Sequence, residues 1–117
     1  MTDSIKIYHN PRCSKSRMTL KLLSDKGIKA EIVEYLNTPP NKQELQSILN
    51  MLGLQPRQLM RTQETEYKDN NLANESLSND QLIDAMIKFP KLIERPIVVC
   101  NGQAIIGRPP ENVLEIV

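Results

Sequence analysis

The chain has 117 residues and a mass of 13.4 kDa, which is one domain's worth of protein: enough to bury roughly 65% of its unfolded surface, and too little for a two-domain enzyme. Fifteen Lys and Arg against fourteen Asp and Glu leave a formal net charge of +1, so no one-signed field is available to hold a nucleic-acid backbone or an anionic membrane, and neither is an expected partner. Hydrophobic residues make up 39% and charged residues 25%, an ordinary globular balance, and with so few aromatics (Tyr8, Tyr35, Tyr67 and Phe89) the core is expected to be aliphatic.

The N-terminal stretch MTDSIKIYHN has no basic segment followed by a long apolar run, and no apolar run in the sequence approaches the roughly 20 residues that span a bilayer, so a cytoplasmic location is expected. Cys13 and Cys100 could form one disulfide at most, and in a reducing compartment both are expected as thiols. With His9 they amount to three soft ligands, one short of a structural Cys/His zinc site, and no metal is expected.

Along the chain, IKIY (residues 5–8) alternates at period two and reads as a strand, followed by the polar loop HNPRCSKS. A helix is expected from Ser14 to about Lys26, with Met18, Leu22 and Leu23 on its inward face and Gly27 as its left-handed stop. AEIVEYL (30–36) reads as a second strand, ended by NTPPN. The helix between them makes the two strands parallel, and the loop after the first strand opens at the carboxyl edge of the sheet, where sites usually lie. A second helix is expected from about Lys42 to Leu52, with Asn41 and Glu44 at capping-box spacing, Leu45, Ile48, Leu49 and Leu52 inward, and Gly53 at its end. PRQLMR reads as one or two helical turns, and TQETEYKDNNLANES as surface loop. Ser78 and Gln81 open a further helix carrying Leu82, Ile83, Met86 and Ile87, which Pro90 ends near Phe89. Ile97–Cys100 and 104–106 flank Asn101-Gly102, a strong hairpin signal, and Pro109 opens a short last helix carrying Val113, Leu114, Ile116 and Val117.

The order is βαβ, then helices, then ββα. It predicts an α/β, thioredoxin-like fold: one domain over residues 1–117, with a four-stranded mixed sheet, helices on both faces, and a helical insertion between the halves.

Cys13 falls at the start of the first helix, where unpaired N–H groups and the helix dipole favour an anion, and Arg12, Lys15 and Arg17 lie close in sequence. These features are expected to depress the thiol pKa and make Cys13 nucleophilic, and they would equally hold an oxyanion. A free cysteine that merely fills a gap is the alternative. Cys13 and Ser16 form C-x-x-S, which lacks a local resolving thiol. Cys100, about four residues along an antiparallel strand and so roughly 13 Å away, reads as a buried structural thiol. A tyrosine phosphatase would need arginine where Thr19 stands, and a papain-like protease would need a distant histidine. His9 is expected to orient the loop or to stabilise the thiolate.

The segment His9-Asn10-Pro11-Arg12-Cys13-Ser14-Lys15-Ser16-Arg17 resembles the H-x3-C-x3-R motif of the ArsC-type, glutaredoxin-coupled arsenate reductases. Tyr35 to Pro40, Arg57 to Arg61, Arg95 to Val99, and Gly107-Arg108-Pro109 resemble that family's later motifs in order and spacing, so the likeness covers nearly the whole chain. It implies that the Cys13 thiolate attacks arsenate and that glutathione and glutaredoxin complete reduction to arsenite, with glutathione as co-substrate and no bound cofactor. It also implies that Arg61, Arg95 and Arg108 bind the substrate, with His9, Ser14, Ser16, Arg17 and Pro96 supporting the site. Arg95-Pro96 is similar to the cis-proline position of thioredoxin-like folds, so a cis bond is expected there.

The chain ends soon after Arg108, where the best-characterised plasmid-type members continue. Nothing in the pattern demands a dimer, so a monomer is expected. The competing reading is a Spx-like regulator that binds RNA polymerase, against which stand Ser16 in place of a second cysteine and the complete set of arginines. A third is a related thiol-dependent reductase acting on another oxyanion or on a glutathione mixed disulfide.

Overall fold

A computed structural model describes residues 5–117; the first four residues of the stretch MTDSIKIYHN, read above as lacking a basic segment, lie outside them. The chain groups into two compact units, Met1–Thr38 with Arg95–Val117, and Pro39–Glu94.

The first unit is built on a four-stranded sheet in the order β2-β1-β3-β4, with β1 Ile5–Tyr8, β2 Glu31–Val33, β3 Ile97–Cys100 and β4 Gln103–Ile106. β1 and β2 are parallel, as a helical crossover requires, and β1–β3 and β3–β4 are antiparallel. Asn101 (φ 52°) and Gly102 (φ 77°) both adopt the left-handed conformation that a tight two-residue hairpin turn needs. This is the mixed sheet of the expected thioredoxin-like fold. β2 is shorter than its sequence suggests because the chain turns at Glu34, whose carbonyl accepts the amides of Asn37 and Thr38.

Helix α1 (Ser14–Asp25) ends as the sequence predicts: Gly27 at φ 74° lets its own amide reach the Ser24 carbonyl and that of Ile28 reach Leu23. Its inward residues differ from expectation. Ser16, Thr19 and Leu23 are buried, while Met18 is 50% exposed, because the first turns of the helix turn their small polar side chains inward, next to the loop of residues 9–13. Leu23 packs with Ile5, Ile7, Val98, Cys100 and Val113 on one sheet face, each such large aliphatic side chain contributing about 1.5–3 kcal/mol of transfer free energy. The chain closes in a 3-10 segment, Pro110–Glu115, which seats Val113 in this core and leaves Leu114 and Val117 at the surface, so only part of the predicted last apolar face is used.

The second unit is helical. α2 (Lys42–Leu52) is capped by Asn41, whose side chain accepts from the Glu44 amide, and it ends at left-handed Gly53. α5 (Asn79–Lys88) opens with a reciprocal Ser78/Gln81 capping box. Both agree with the sequence reading, as does the turn α3 (Pro56–Leu59). The segment expected to be surface loop is not: it contains α4 (Thr65–Asp69) and buries Tyr67 and Leu72. The reason is Arg57, whose guanidinium donates to the Tyr67 hydroxyl at 2.7 Å and to the carbonyls of Leu72 and Asn74. A short 3-10 turn, Pro90–Leu92, follows α5. Among the described residues no helix is long and apolar enough to cross a membrane.

Candidate active site

Cys13 is the N-cap of α1, 9% exposed, at the carboxyl edge of β1. The loop that delivers it is folded by its own polar groups. The Cys13 amide donates to the Asn10 carbonyl, the Arg12 amide to Asn10 Oδ1, and the Asn10 amide to Ser16 Oγ. His9 Nδ1 lies 2.7 Å from the same Ser16 oxygen, with both residues buried. His9 therefore orients the loop through Ser16. Burial, aided by Arg17 and opposed by Glu34, holds its pKa below the usual histidine value, so the ring is neutral at neutral pH.

The thiol of Cys13 is held below its ordinary pKa. Burial by itself raises it, and this is the largest single influence, but it is outweighed by the Ser16 amide, the Arg95 guanidinium and the Lys15 amide acting together. The sulfur makes none of the short capping bonds that an aspartate or serine oxygen would make here; the first-turn amides still favour its negative form. Arg108 completes the surroundings, with Nη1 3.9 Å from Cys13 Sγ and also donating to the Arg95 carbonyl at 3.1 Å. Charge near the sulfur thus comes from Arg95 and Arg108. The expected role of Arg17 needs correction: its guanidinium donates to the Pro11 carbonyl at 2.9 Å, clasping the loop, while Arg12 is exposed.

Cys100 is fully buried in the sheet core and pairs in register with Ile5, whereas the reactive loop leaves β1 beyond Tyr8, at the other end of that strand pair. It belongs to the packing. Neither cysteine is in a disulfide, and among the described residues no His, Cys, Asp and Glu gather in a group able to hold a metal.

Residues 8–116 match the ArsC family. The chain belongs to it. Among the relatives, an uncharacterized protein of Escherichia coli K12 is 58% identical over 118 residues, covering 100% of this chain and 99% of that protein. An arsenate reductase of Neisseria meningitidis serogroup A is 54% identical over 110 residues, covering 93% of this chain and 94% of that protein. The solved structure of an arsenate reductase from Vibrio cholerae superposes with a TM-score of 0.97 at 54% identity, covering 100% of both chains.

For this ArsC-family chain, the structure brings Cys13, Arg95, Arg108, His9, Ser16 and Pro96 together in the first unit. The Arg95-Pro96 bond is cis, as expected, and Arg108-Pro109 is a second cis bond that the sequence reading did not anticipate. Ser14, the first helical residue, is exposed. Arg61 lies in the second unit, with its guanidinium on Glu94 at 2.9 Å and 3.7 Å from Glu64. Thr19 and Gly107, both buried, were not among the expected site residues, although Gly107 falls in a segment that resembles a family motif. The available signal was a lone glycine directly before one of the candidate arginines.

Proposed function

We propose that this chain reduces arsenate to arsenite with Cys13 as the nucleophile. The observation that carries the reading is a thiol of lowered pKa at a helix N-terminus with the Arg95 and Arg108 guanidinium groups beside it. This arrangement suits a tetrahedral oxyanion, because guanidinium forks match its oxygens and the same charges stabilise the sulfur anion that attacks. The Cys13 sulfur bonds to arsenic and an As–O bond breaks, the oxygen leaving as water. A glutathione thiolate then adds to the adduct. Coupling of the two sulfurs delivers two electrons to arsenic, releasing arsenite and leaving a Cys13–glutathione disulfide that glutaredoxin reduces. An outside thiol is needed because Ser16 stands where a local resolving thiol would be and Cys100 is buried in the core.

The relatives named arsenate reductase support the substrate, and the motif likeness supports the coupling to glutathione and glutaredoxin. For Arg61 the support is the likeness of its sequence segment. Loss of arsenate affinity in Arg61→Ala, with glutathione affinity kept, is the expected sign of a substrate role.

The test is arsenate-dependent NADPH oxidation with glutathione, glutaredoxin and glutathione reductase present. Turnover is expected to vanish in Cys13→Ser, persist in Cys100→Ser and weaken in Arg95→Ala. A folded wild type that consumes no NADPH on arsenate addition overturns the proposal.

A further inference from the structure

A Cβ at Gly107 would sit 2.7 Å from Thr19 Oγ1, 2.9 Å from Pro96 Cγ and 3.2 Å from Thr19 Cγ2. The first two distances lie inside ordinary non-bonded contact, so no residue with a side chain fits without displacing a neighbour. The constraint is space: the left-handed glycines among the described residues are Gly27, Gly53 and Gly102. Around Gly107 the contacts are specific. Its amide donates to the Pro96 carbonyl at 3.0 Å, and Thr19 Oγ1, which donates to the Lys15 carbonyl at 2.8 Å, stands 3.5 Å from the Gly107 carbonyl. Thr19 is fully buried.

Each partner of Gly107 leads to one part of the site. Thr19 belongs to α1, the helix whose first turn supplies the amides that face Cys13. Pro96 follows Arg95 directly, and Arg108 follows Gly107 itself, its guanidinium tied back to the Arg95 carbonyl. We infer that Gly107 is a positioning residue: its bare Cα lets the end of β4 close onto Thr19 and Pro96, and this closure sets where Arg95 and Arg108 stand relative to the Cys13 sulfur.

Adding a methyl group must part at least two of these three elements. α1 is held by its core face around Leu23 and the Pro96 loop by β3, so the displacement falls on Gly107 and Arg108, which lie between β4 and the Pro110–Glu115 segment. The Arg108 guanidinium then leaves the sulfur, the hydrogen bonds to Pro96 and to the Arg95 carbonyl loosen, and the thiolate loses part of its support.

The inference concerns the site named in the proposed function, but its test reads the thiol itself and needs no arsenate. The rate of Cys13 alkylation by iodoacetamide, followed on the Cys13 peptide by mass, gives the titration midpoint of the thiol across pH. Gly107→Ala is expected to raise that midpoint by about half a unit or more. Val113→Ala, which empties a fully buried position of the same core, serves as a control that lowers stability and leaves the midpoint at the wild-type value. In the double variant Gly107→Ala with Thr19→Ala, two of the three obstructing atoms are gone, and the midpoint is expected to return towards that of Thr19→Ala alone.

A folded Gly107→Ala protein with the wild-type midpoint overturns the inference, as does a Val113→Ala protein that shifts the midpoint as far at equal loss of stability. Should Gly107→Ala fail to fold, Thr19→Ala removes the wall from the other side and is expected to shift the midpoint in the same direction, and a wild-type value there overturns the inference as well. A shifted midpoint in Gly107→Ala, together with a folded wild type that shows no arsenate turnover, supports the positioning role and overturns the proposed function alone.

Discussion

The Arg108 guanidinium lies 3.9 Å from the Cys13 sulfur although 95 positions separate the two residues in sequence. Strand β3 antiparallel to β1, followed by the tight hairpin into β4, makes this meeting possible. Arg108 is exposed, so its cation keeps much of its hydration until an anion arrives. If it binds the oxyanion by charge-assisted hydrogen bonds, worth roughly 1.5–3 kcal/mol, Arg108→Ala will lower kcat/KM for arsenate by about tenfold to a hundredfold. Arg108→Lys will recover only part of that loss, because an ammonium lacks the fork. Steady-state kinetics of the two variants checks this.

Cys13 predicts a pH dependence of stability. Its pKa in the folded protein lies below the ordinary thiol value, so the native state binds fewer protons than the unfolded state between those two values. The stability this supplies is fully present above the unfolded thiol pKa and is lost as pH falls through the folded one. The difference in unfolding free energy between wild type and Cys13→Ser is therefore expected to grow on going from acidic to alkaline solution. Urea titrations at several pH values measure it, and a difference independent of pH would refute the lowered pKa.

His9 and Ser16 predict a loop effect that stops short of the chemistry. Replacing His9 by Ala removes a buried partner of Ser16 Oγ, at an expected cost of about 1–3 kcal/mol. Because the folded pKa of His9 is lowered, its contribution is present above the ordinary histidine value and lost as pH falls through the folded value. The stability gap between wild type and His9→Ala should thus narrow in acid, and thermal unfolding followed across pH reports it.

Arg57 predicts a stability defect confined to the helical unit. Arg57→Ala strips donors from the Tyr67 hydroxyl and from the Leu72 and Asn74 carbonyls, and a loss of about 2–3 kcal/mol is expected. Amide hydrogen exchange should quicken first over residues 65–74, while the alkylation midpoint of Cys13 stays where it is in the wild type.

By itself the sequence determined those parts of the protein whose cause is local. The ends of α2 and α5 follow from Asn41, Gly53, Ser78 and Gln81; the hairpin follows from Asn101-Gly102; and the place of Cys13 follows from a strand, a polar loop and a helix in succession. Each is decided within a few residues, by orphan amides seeking a cap or by a turn that tolerates positive φ. The tertiary structure decided what depends on distant segments meeting. The arginines beside the sulfur are Arg95 and Arg108, while the sequence neighbour Arg17 is bonded to the Pro11 carbonyl, because a helix start and two strand ends converge there. Met18 is exposed and Thr19 buried because the reactive loop and Gly107 lie against α1. The polar stretch around Tyr67 is ordered because Arg57, ten residues earlier, satisfies it. No local pattern encodes such meetings: they arise where sheet register and packing bring two surfaces within contact distance.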